Sequence, residues 1–329
     1  DIEGPRYRRN WLHLAVGRHI LQTFSIPRAD FLSCTIAHAP WIDHEWLFQV
    51  LVRFIYDGAG IQGLIGLKAG VIFFMFVLLL FLGYTRERQS GPVGILLLVL
   101  LIFQRRMTLR PDLFSLLFFV LYIVILNVHV SKRWSLWAIA LIQMIWTNMH
   151  GFFILGPALV FVVFAGEKMK RSLKLPFAWN ERGRLTDAAY KRLAWMLPVV
   201  CLACLANPYL LEGVWYPLKV FFSLAGDSRI FFSHIQELER PLAWSNLFSW
   251  HPHFYYKRLM AVSFLSFLAN YRKIDITVLL LWGGFLLFSL GALRNIVFFA
   301  LAAYFAFLSN FQENFWFYLL CESADDVVQ

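Results

Sequence analysis

The sequence predicts an all-α polytopic membrane protein, on three observations. Of 329 residues 60% are hydrophobic and 18% aromatic, with only 15% charged, whereas soluble domains sit nearer half apolar and a quarter charged. The apolar residues gather into long runs separated by polar turns. Lys and Arg crowd into alternate turns, as they do where loops alternate between the two sides of a bilayer. The net charge of +10 then reflects topology and contact with anionic membrane lipids rather than nucleic acid, for which no module is present. No internal repeat or low-complexity segment appears, and no cleavable signal is visible. The opening at Asp1 without Met points to a segment ahead of it, one more span being natural there.

Residues 1–60 are broken by Pro and charge and cannot span a bilayer. They read as an outward loop carrying amphipathic interfacial helices. Its most concentrated chemistry is Pro40-Trp41-Ile42-Asp43-His44-Glu45-Trp46-Leu47, with two carboxyls and an imidazole on consecutive positions between two Trp. Two readings stand side by side: paired carboxylates for acid–base work, or a solvated loop with aromatic anchors at the lipid headgroups. From Glu45 to Tyr56, Trp46, Val50 and Phe54 recur at helical spacing, with Gln49, Arg53 and Asp57 elsewhere on the turn. This predicts a helix over 45–57 lying along the membrane surface.

Nine candidate spans follow, at 61–84, 91–104, 111–130, 134–148, 152–166, 192–208, 256–271, 275–291 and 295–309. Several fall short of the ~20 residues that cross a bilayer unaided, so their helices must extend into the flanks. The organisation is therefore a loop at 1–60, a transmembrane bundle at 61–309 and a tail at 310–329. Arg86 and Arg88, Lys132 and Arg133, the basic segment 167–192, and Arg272 and Lys273 mark the cytoplasmic side. Residues 1–60, 105–110, 148–151, 207–255 and 291–295 then share the outward side. Of the four cysteines, Cys201 and Cys204 form a CxxC inside an apolar run without partner ligands, and read as buried packing residues.

The outward turns hold unusual residues: Arg105, Arg106, Arg110 and Asp112, then Asn148 and His150, then Asn207-Pro208-Tyr209, then Arg294 and Asn295. Arginine at an outward helix end can snorkel to lipid phosphate. Several of them placed against the charge bias, on the side of the acidic stretch, suggest an anionic ligand, because the guanidinium fork suits phosphate oxygens. The ligand reading is favoured for Arg110 and Arg294; both readings stay open for Arg105 and Arg106. His150 alone reads as a hydrogen-bonded structural histidine, and Gly151 as a close approach of two helices.

Taken in order, Trp11-Leu12-His13-Leu14-Ala15-Val16-Gly17-Arg18-His19, Ile26-Pro27-Arg28-Ala29-Asp30, Trp41-Ile42-Asp43-His44-Glu45-Trp46-Leu47, Leu109-Arg110-Pro111-Asp112, Asn148-Met149-His150-Gly151, Asn207-Pro208-Tyr209 and Leu293-Arg294-Asn295 resemble the bacterial integral-membrane glycosyltransferases of the GT-C class, near the protein O-mannosyltransferase-like families. The similarity runs from about residue 10 to about 300. The resemblance implies a GT-C-like helix bundle in the bacterial inner (cytoplasmic) membrane, taking a sugar from a polyprenyl-phosphate sugar lipid to an acceptor at the outer face. It implies Asp43 and Glu45 as the acid–base pair, with Asp30 in reserve. Arg110, Arg294 and Arg106 would be phosphate ligands, and His150 would orient the substrate. A divalent metal ion, used by some members, would fall to Asp43 and Glu45. One position departs from the class: four residues before His13, where related sequences carry an Asp, stands Arg9. Either Asp30, Asp43 or Glu45 serves instead, or the chain is an inactive relative acting as a structural subunit among other membrane subunits. A transporter ranks behind both, since Lys68 is the clearest charge within a span.

Overall fold

The computed structural model describes residues 5–34, 38–83, 90–225, 236–242 and 253–311. Among them every regular element is helical, and the single β feature is an isolated bridge between Ala29 and Pro40. Eleven α-helices follow in order: α1 (Pro5–Thr23), α2 (Trp46–Gly83), α3 (Ser90–Phe103), α4 (Pro111–Val124), α5 (Ser135–Met149), α6 (Leu155–Ser172), α7 (Asp187–Ala203), α8 (Leu211–Ala225), α9 (Phe254–Ala269), α10 (Ile276–Gly291) and α11 (Ile296–Phe311). A π-helical turn, Ile125–His129, prolongs α4.

Each of the nine expected spans falls on a helix, but the fold carries a smaller number of unaided crossings. Among the described residues four stretches are long and apolar enough to cross a membrane: Trp46–Gly83, Pro111–His129, Gly151–Ser172 and Leu293–Phe311. Gly91–Phe103, Ser135–Met149 and Ile276–Gly291 are shorter apolar helices. The remaining two are α7, which opens on the polar turns of Asp187, Lys191 and Arg192, and α9.

The expected helix at 45–57 exists as the first part of α2. At 38 residues and ~1.5 Å per residue, α2 would run about 57 Å if straight, nearly twice a ~30 Å hydrocarbon core. Gly60 breaks it, with φ of 59° and ψ of −151°, a conformation open to glycine alone. The chain beyond the break, 61–83, suffices for a crossing. The buried face before it is Phe48, Gln49 and Val52, while Phe54 is exposed. Gln49, which the sequence placed on the polar side with Arg53 and Asp57, is therefore an inward residue. The reason is α1. It packs along this part of α2, and at Gly17 any side chain would run into the Gln49 carbonyl.

The core centres on α11, whose residues 296–310 are all buried. A helix apolar all round belongs inside, and α3, α9 and α10 pack against it. The loops sort into two ends, as the charge distribution groups them. At one end the basic segment meets its neighbours: Ala178 N donates to Arg272 O (3.2 Å), Trp179 Nε1 to Tyr271 O (2.8 Å) and Arg192 Nη1 to Val130 O (3.0 Å). At the other, Trp46 Nε1 donates to Asn148 Oδ1 (2.8 Å), Asn148 Nδ2 to Ala206 O (2.7 Å) and Leu293 N to Glu239 O (2.8 Å). Arg86, Arg88, Cys321 and the tail from 312 onward lie outside the described residues, as do the side chains of Arg9 and Arg105. Cys204 is buried and accepts from Gln143 Nε2 (3.2 Å), whereas Cys201, expected inside, is exposed on the bundle surface.

Candidate functional site

The site lies at the second of these ends. Asp43 is only 2% exposed. Its Oδ1 accepts from Gln49 Nε2 (3.0 Å) and Glu45 N (3.3 Å), and its own N–H donates to the Tyr209 hydroxyl (3.1 Å). Oδ2 is buried without a hydrogen-bond partner among the described residues. Beside it Asp43, His44, Trp46, Asn148, Asn207 and Tyr209 line a small pocket that admits about one water-sized group. Burial pushes the Asp43 carboxyl up to about 6, against the pull of the bonds from Glu45 and Gln49.

Glu45 stands among three imidazoles. Its Oε1 lies 3.7 Å from His44 Nε2 and 3.7 Å from His150 Nε2, and its Oε2 lies 4.0 Å from His13 Nδ1. These separations exceed hydrogen-bond range, so they are not closed ion pairs. Burial, then the charges of Asp43 and Asp112, push Glu45 up to about 8. Its side chain keeps 23% exposure, but the surrounding rings displace most of its water. Burial likewise brings His44 down to about 4 and holds His150 well below the usual imidazole range, the latter helped by charge on His44, Arg294, His13 and Arg106. At neutral pH the cluster therefore holds a protonated Glu45, a neutral His44 and His150, and an ionised Asp43. Two neighbouring carboxyls whose proton affinities are pushed apart can divide acid and base roles between them.

His13 arrives from α1. His13, Leu14, Val16, Gly17 and Ile20 form its buried face, and the close approach at Gly17 brings that face against the start of α2. His150 follows α5 in an extended conformation and caps the next 3-10 turn, its Nδ1 accepting from Phe152 N (3.5 Å) and bonded to Ser115 Oγ (2.9 Å). A Cβ on Gly151 would lie 3.4 Å from the His44 ring and 3.6 Å from Pro217. These are ordinary contacts, to the acidic stretch and α8, so the close approach of two helices expected at Gly151 does not itself require a glycine.

The arginines adjoin this cluster through His150. Pro111 begins α4 at a position where its missing N–H costs nothing, and Arg110 and Asp112 flank it. Arg106 Nη1 is 3.2 Å from Asp112 Oδ2 and 3.4 Å from Glu237 Oε2, and Arg110 Nη1 is 2.8 Å from Glu237 Oε1. Arg294 lies with its guanidinium carbon 5.2 Å from the centre of the Phe152 ring, and its Nε is buried without a partner among the described residues, as is Asp112 Oδ1. Arg106 and Arg110 thus already hold carboxylates, which the sequence did not anticipate.

Of the expected residues, Asp43, Glu45, His150, Arg106, Arg110 and Arg294 gather at this end. Asp30 is taken up elsewhere: its Oδ1 accepts from Leu32 N (2.8 Å) and Ser33 N (2.9 Å), and these bonds hold its carboxyl below the usual range. Among the described residues no group of three or more His, Cys, Asp or Glu is arranged to hold a metal ion. Of the two carboxyls expected to hold a metal, Asp43 has Oδ1 engaged by Gln49 and the Glu45 N–H, and Glu45 is held protonated by burial. Sequence reasoning singled out the His44 imidazole beside Glu45 but missed His13 as a further neighbour of Glu45, Ser115 as the partner of His150, and Glu237. The buried-face periodicity of α1 could have found His13; nothing local marks Glu237. No family model, no curated protein and no solved structure matches the chain. What fold and site define is a helical protein with membrane-crossing segments and a buried titratable cluster at one end.

Proposed function

We propose that the chain is a glycosyltransferase of the bacterial inner membrane that moves a sugar from a polyprenyl-phosphate donor to an acceptor at the outer face. The observation that carries this reading is the placement at one end of a buried carboxylate oxygen without a partner among the described residues, Asp43 Oδ2, and of three guanidiniums, with Glu45 and His150 between them. Asp43 takes the proton of the acceptor hydroxyl, whose oxygen bonds to the anomeric carbon as the bond to the phosphate oxygen breaks. Arg294, Arg110 and Arg106 hold the departing lipid phosphate, the last two by exchanging Glu237 for it. Glu45, protonated, and His150 orient the donor. A second reading, an inactive GT-C-like subunit of a larger membrane assembly, is favoured by Arg9 at the position of the class Asp and by the internal pairing of Arg106 and Arg110.

Transfer in lipid vesicles from polyprenyl-phosphate sugars decides between them. Asp43→Asn and Glu45→Gln are close in volume to the originals. Asp43→Asn is expected to lower kcat by at least about a hundredfold, in the range of general acid–base contributions, and Glu45→Gln, which keeps a neutral donor in place, by less, with thermal stability unchanged or raised in both. Full activity in both amides would remove the catalytic assignment. A wild-type protein that transfers nothing, yet co-purifies with fixed membrane partners, would establish the structural subunit.

A further inference from the structure

Among the described residues the His150 ring is bonded on only one side, and its bonds set where its proton sits. Trp146 Nε1, which can only donate, lies 2.9 Å from Ser115 Oγ. That oxygen accepts from Trp146, so its own hydrogen is left for its other partner, His150 Nδ1, at 2.9 Å. The Phe152 N–H, also a donor only, points at the same Nδ1 from 3.5 Å. Two donors from two different elements converge on Nδ1, so Nδ1 is the acceptor nitrogen and a neutral ring carries its proton on Nε2. Trp146 and Ser115 are both fully buried, so no water competes for these bonds. Nε2 in turn faces Glu45 Oε1 across 3.7 Å, too far for a direct bond. His13 and His44 face the same carboxyl, while the charges of Arg294 and Arg106 also act on the ring.

We propose that His150 is a tautomer-locked hydrogen-bond donor: the chain from Trp146 through Ser115 to His150 Nδ1 keeps the proton on Nε2, and the site thereby presents a fixed donor to an oxygen of the ligand seated beside Glu45. Trp146 and Ser115 are positioning residues. They touch no ligand and act through the imidazole. The chemistry selects the occupant, since a cation or an amine hydrogen finds no acceptor on this nitrogen, whereas a phosphoryl or hydroxyl oxygen finds a donor. A Glu45 that keeps its own proton adds a second donor, and the arginines add more. The identification of that oxygen as phosphoryl rests on the glycosyl-transfer reading; the tautomer does not.

Nitrogen NMR of the full chain labelled at histidine, in lipid nanodiscs at pH 7, tests the lock, with His150 assigned by its loss in His150→Gln. The expected wild-type spectrum shows Nδ1 unprotonated and Nε2 protonated. Ser115→Ala is expected to give a mixture of tautomers and Ser115→Thr to restore the single form. A protonated Nδ1 in the wild type, or a Ser115→Ala spectrum identical to wild type, overturns the proposal; if Ser115→Ala does not fold, the wild-type spectrum decides alone. Turnover separates this from the functional reading. Where transfer is observed, Ser115→Ala should lower kcat by about tenfold with Ser115→Thr recovering it, and an unaltered kcat in Ser115→Ala overturns the positioning role. Absence of transfer in a wild type with the locked tautomer removes the glycosyltransferase and leaves the donor.

Discussion

Two buried polar clusters occupy opposite ends of this bundle, and they are built differently. At the basic end the Lys170 ammonium is wholly enclosed and lies 2.7 Å from Glu167 Oε1, 2.8 Å from Asp275 Oδ1 and 3.2 Å from Gly183 O. Three acceptors meet three protons. The acceptors are themselves tied down: Glu167 Oε2 takes the Leu185 N–H (3.0 Å), and Asp275 Oδ1 takes the Thr277 N–H (2.8 Å) as the N-cap of α10. Gly183, at φ +60°, closes the turn where a side chain would strike the Asp275 carboxylate. At the other end Asp43 Oδ2, His44 Nδ1, Asp112 Oδ1 and Arg294 Nε are buried without partners among the described residues. A buried polar atom left unpaired costs about 1–3 kcal/mol. Arg171 Nε and Thr277 Oγ1 near the basic end are unpaired too, but there the charged groups of the cluster itself are all engaged; water, an ion or a ligand can supply such missing bonds. The first cluster is an internal clamp that pins the segment after α6 to α10; the second leaves four polar atoms open among the described residues.

The contrast is broken most directly at Lys170. Lys170→Met leaves Glu167 and Asp275 buried without their cation, and removal of one partner of a buried pair costs about 3–5 kcal/mol. Thermal unfolding should show a large loss of stability, and any residual folded protein should retain its activity. A variant as stable as wild type would dissolve the distinction between the two ends.

A smaller effect separates the clusters by pH. Glu45 lies near 8 in the folded chain against 4.5 when exposed, so between those values the folded state holds a proton that the unfolded state has lost. Stability must fall as pH rises through that window and level off above about 8. Asp43 acts in the same direction but only up to about 6. His44, lowered from 6.5 to about 4, acts oppositely and is finished by 6.5. The interval from 6.5 to 8 therefore belongs to Glu45. The melting temperature in detergent should decline across it, and Glu45→Gln should flatten the decline. An equal decline in that variant would place the titration elsewhere. If Asp43 is the base and Glu45 stays protonated, kcat should be greatest between about pH 6 and 8.

The smallest effect concerns Asp30. Its carboxylate organises the Leu32–Ser33 turn outside both clusters. Asp30→Asn should leave transfer within about twofold of wild type, since loss of an acid–base group costs far more. A hundredfold loss of kcat without loss of folding would restore it as the catalytic acid.

The candidate site was legible in part. Asp43, Glu45, Arg110, Arg294 and His150 were recognisable because charged residues amid apolar runs are few, and the Lys/Arg asymmetry assigned them to one end. Their relations were not legible. Arg110 meets Glu237 across 127 positions of chain, and Asp43 meets Tyr209 across 166. Helical periodicity reports neighbours three or four residues apart and is silent beyond them.

By itself, then, the sequence determined the helical class, the placing of most helices and the chemistry gathered at each end. These depend on hydropathy and charge, which are local properties of the chain. Tertiary structure alone decided that Gln49 turns inward to Asp43, that His13 comes beside Glu45, that two arginines are already paired, and that Glu45 holds its proton at neutral pH. Each of these depends on burial and on long-range contact, because exclusion of water by distant segments sets both a group's partners and its proton affinity.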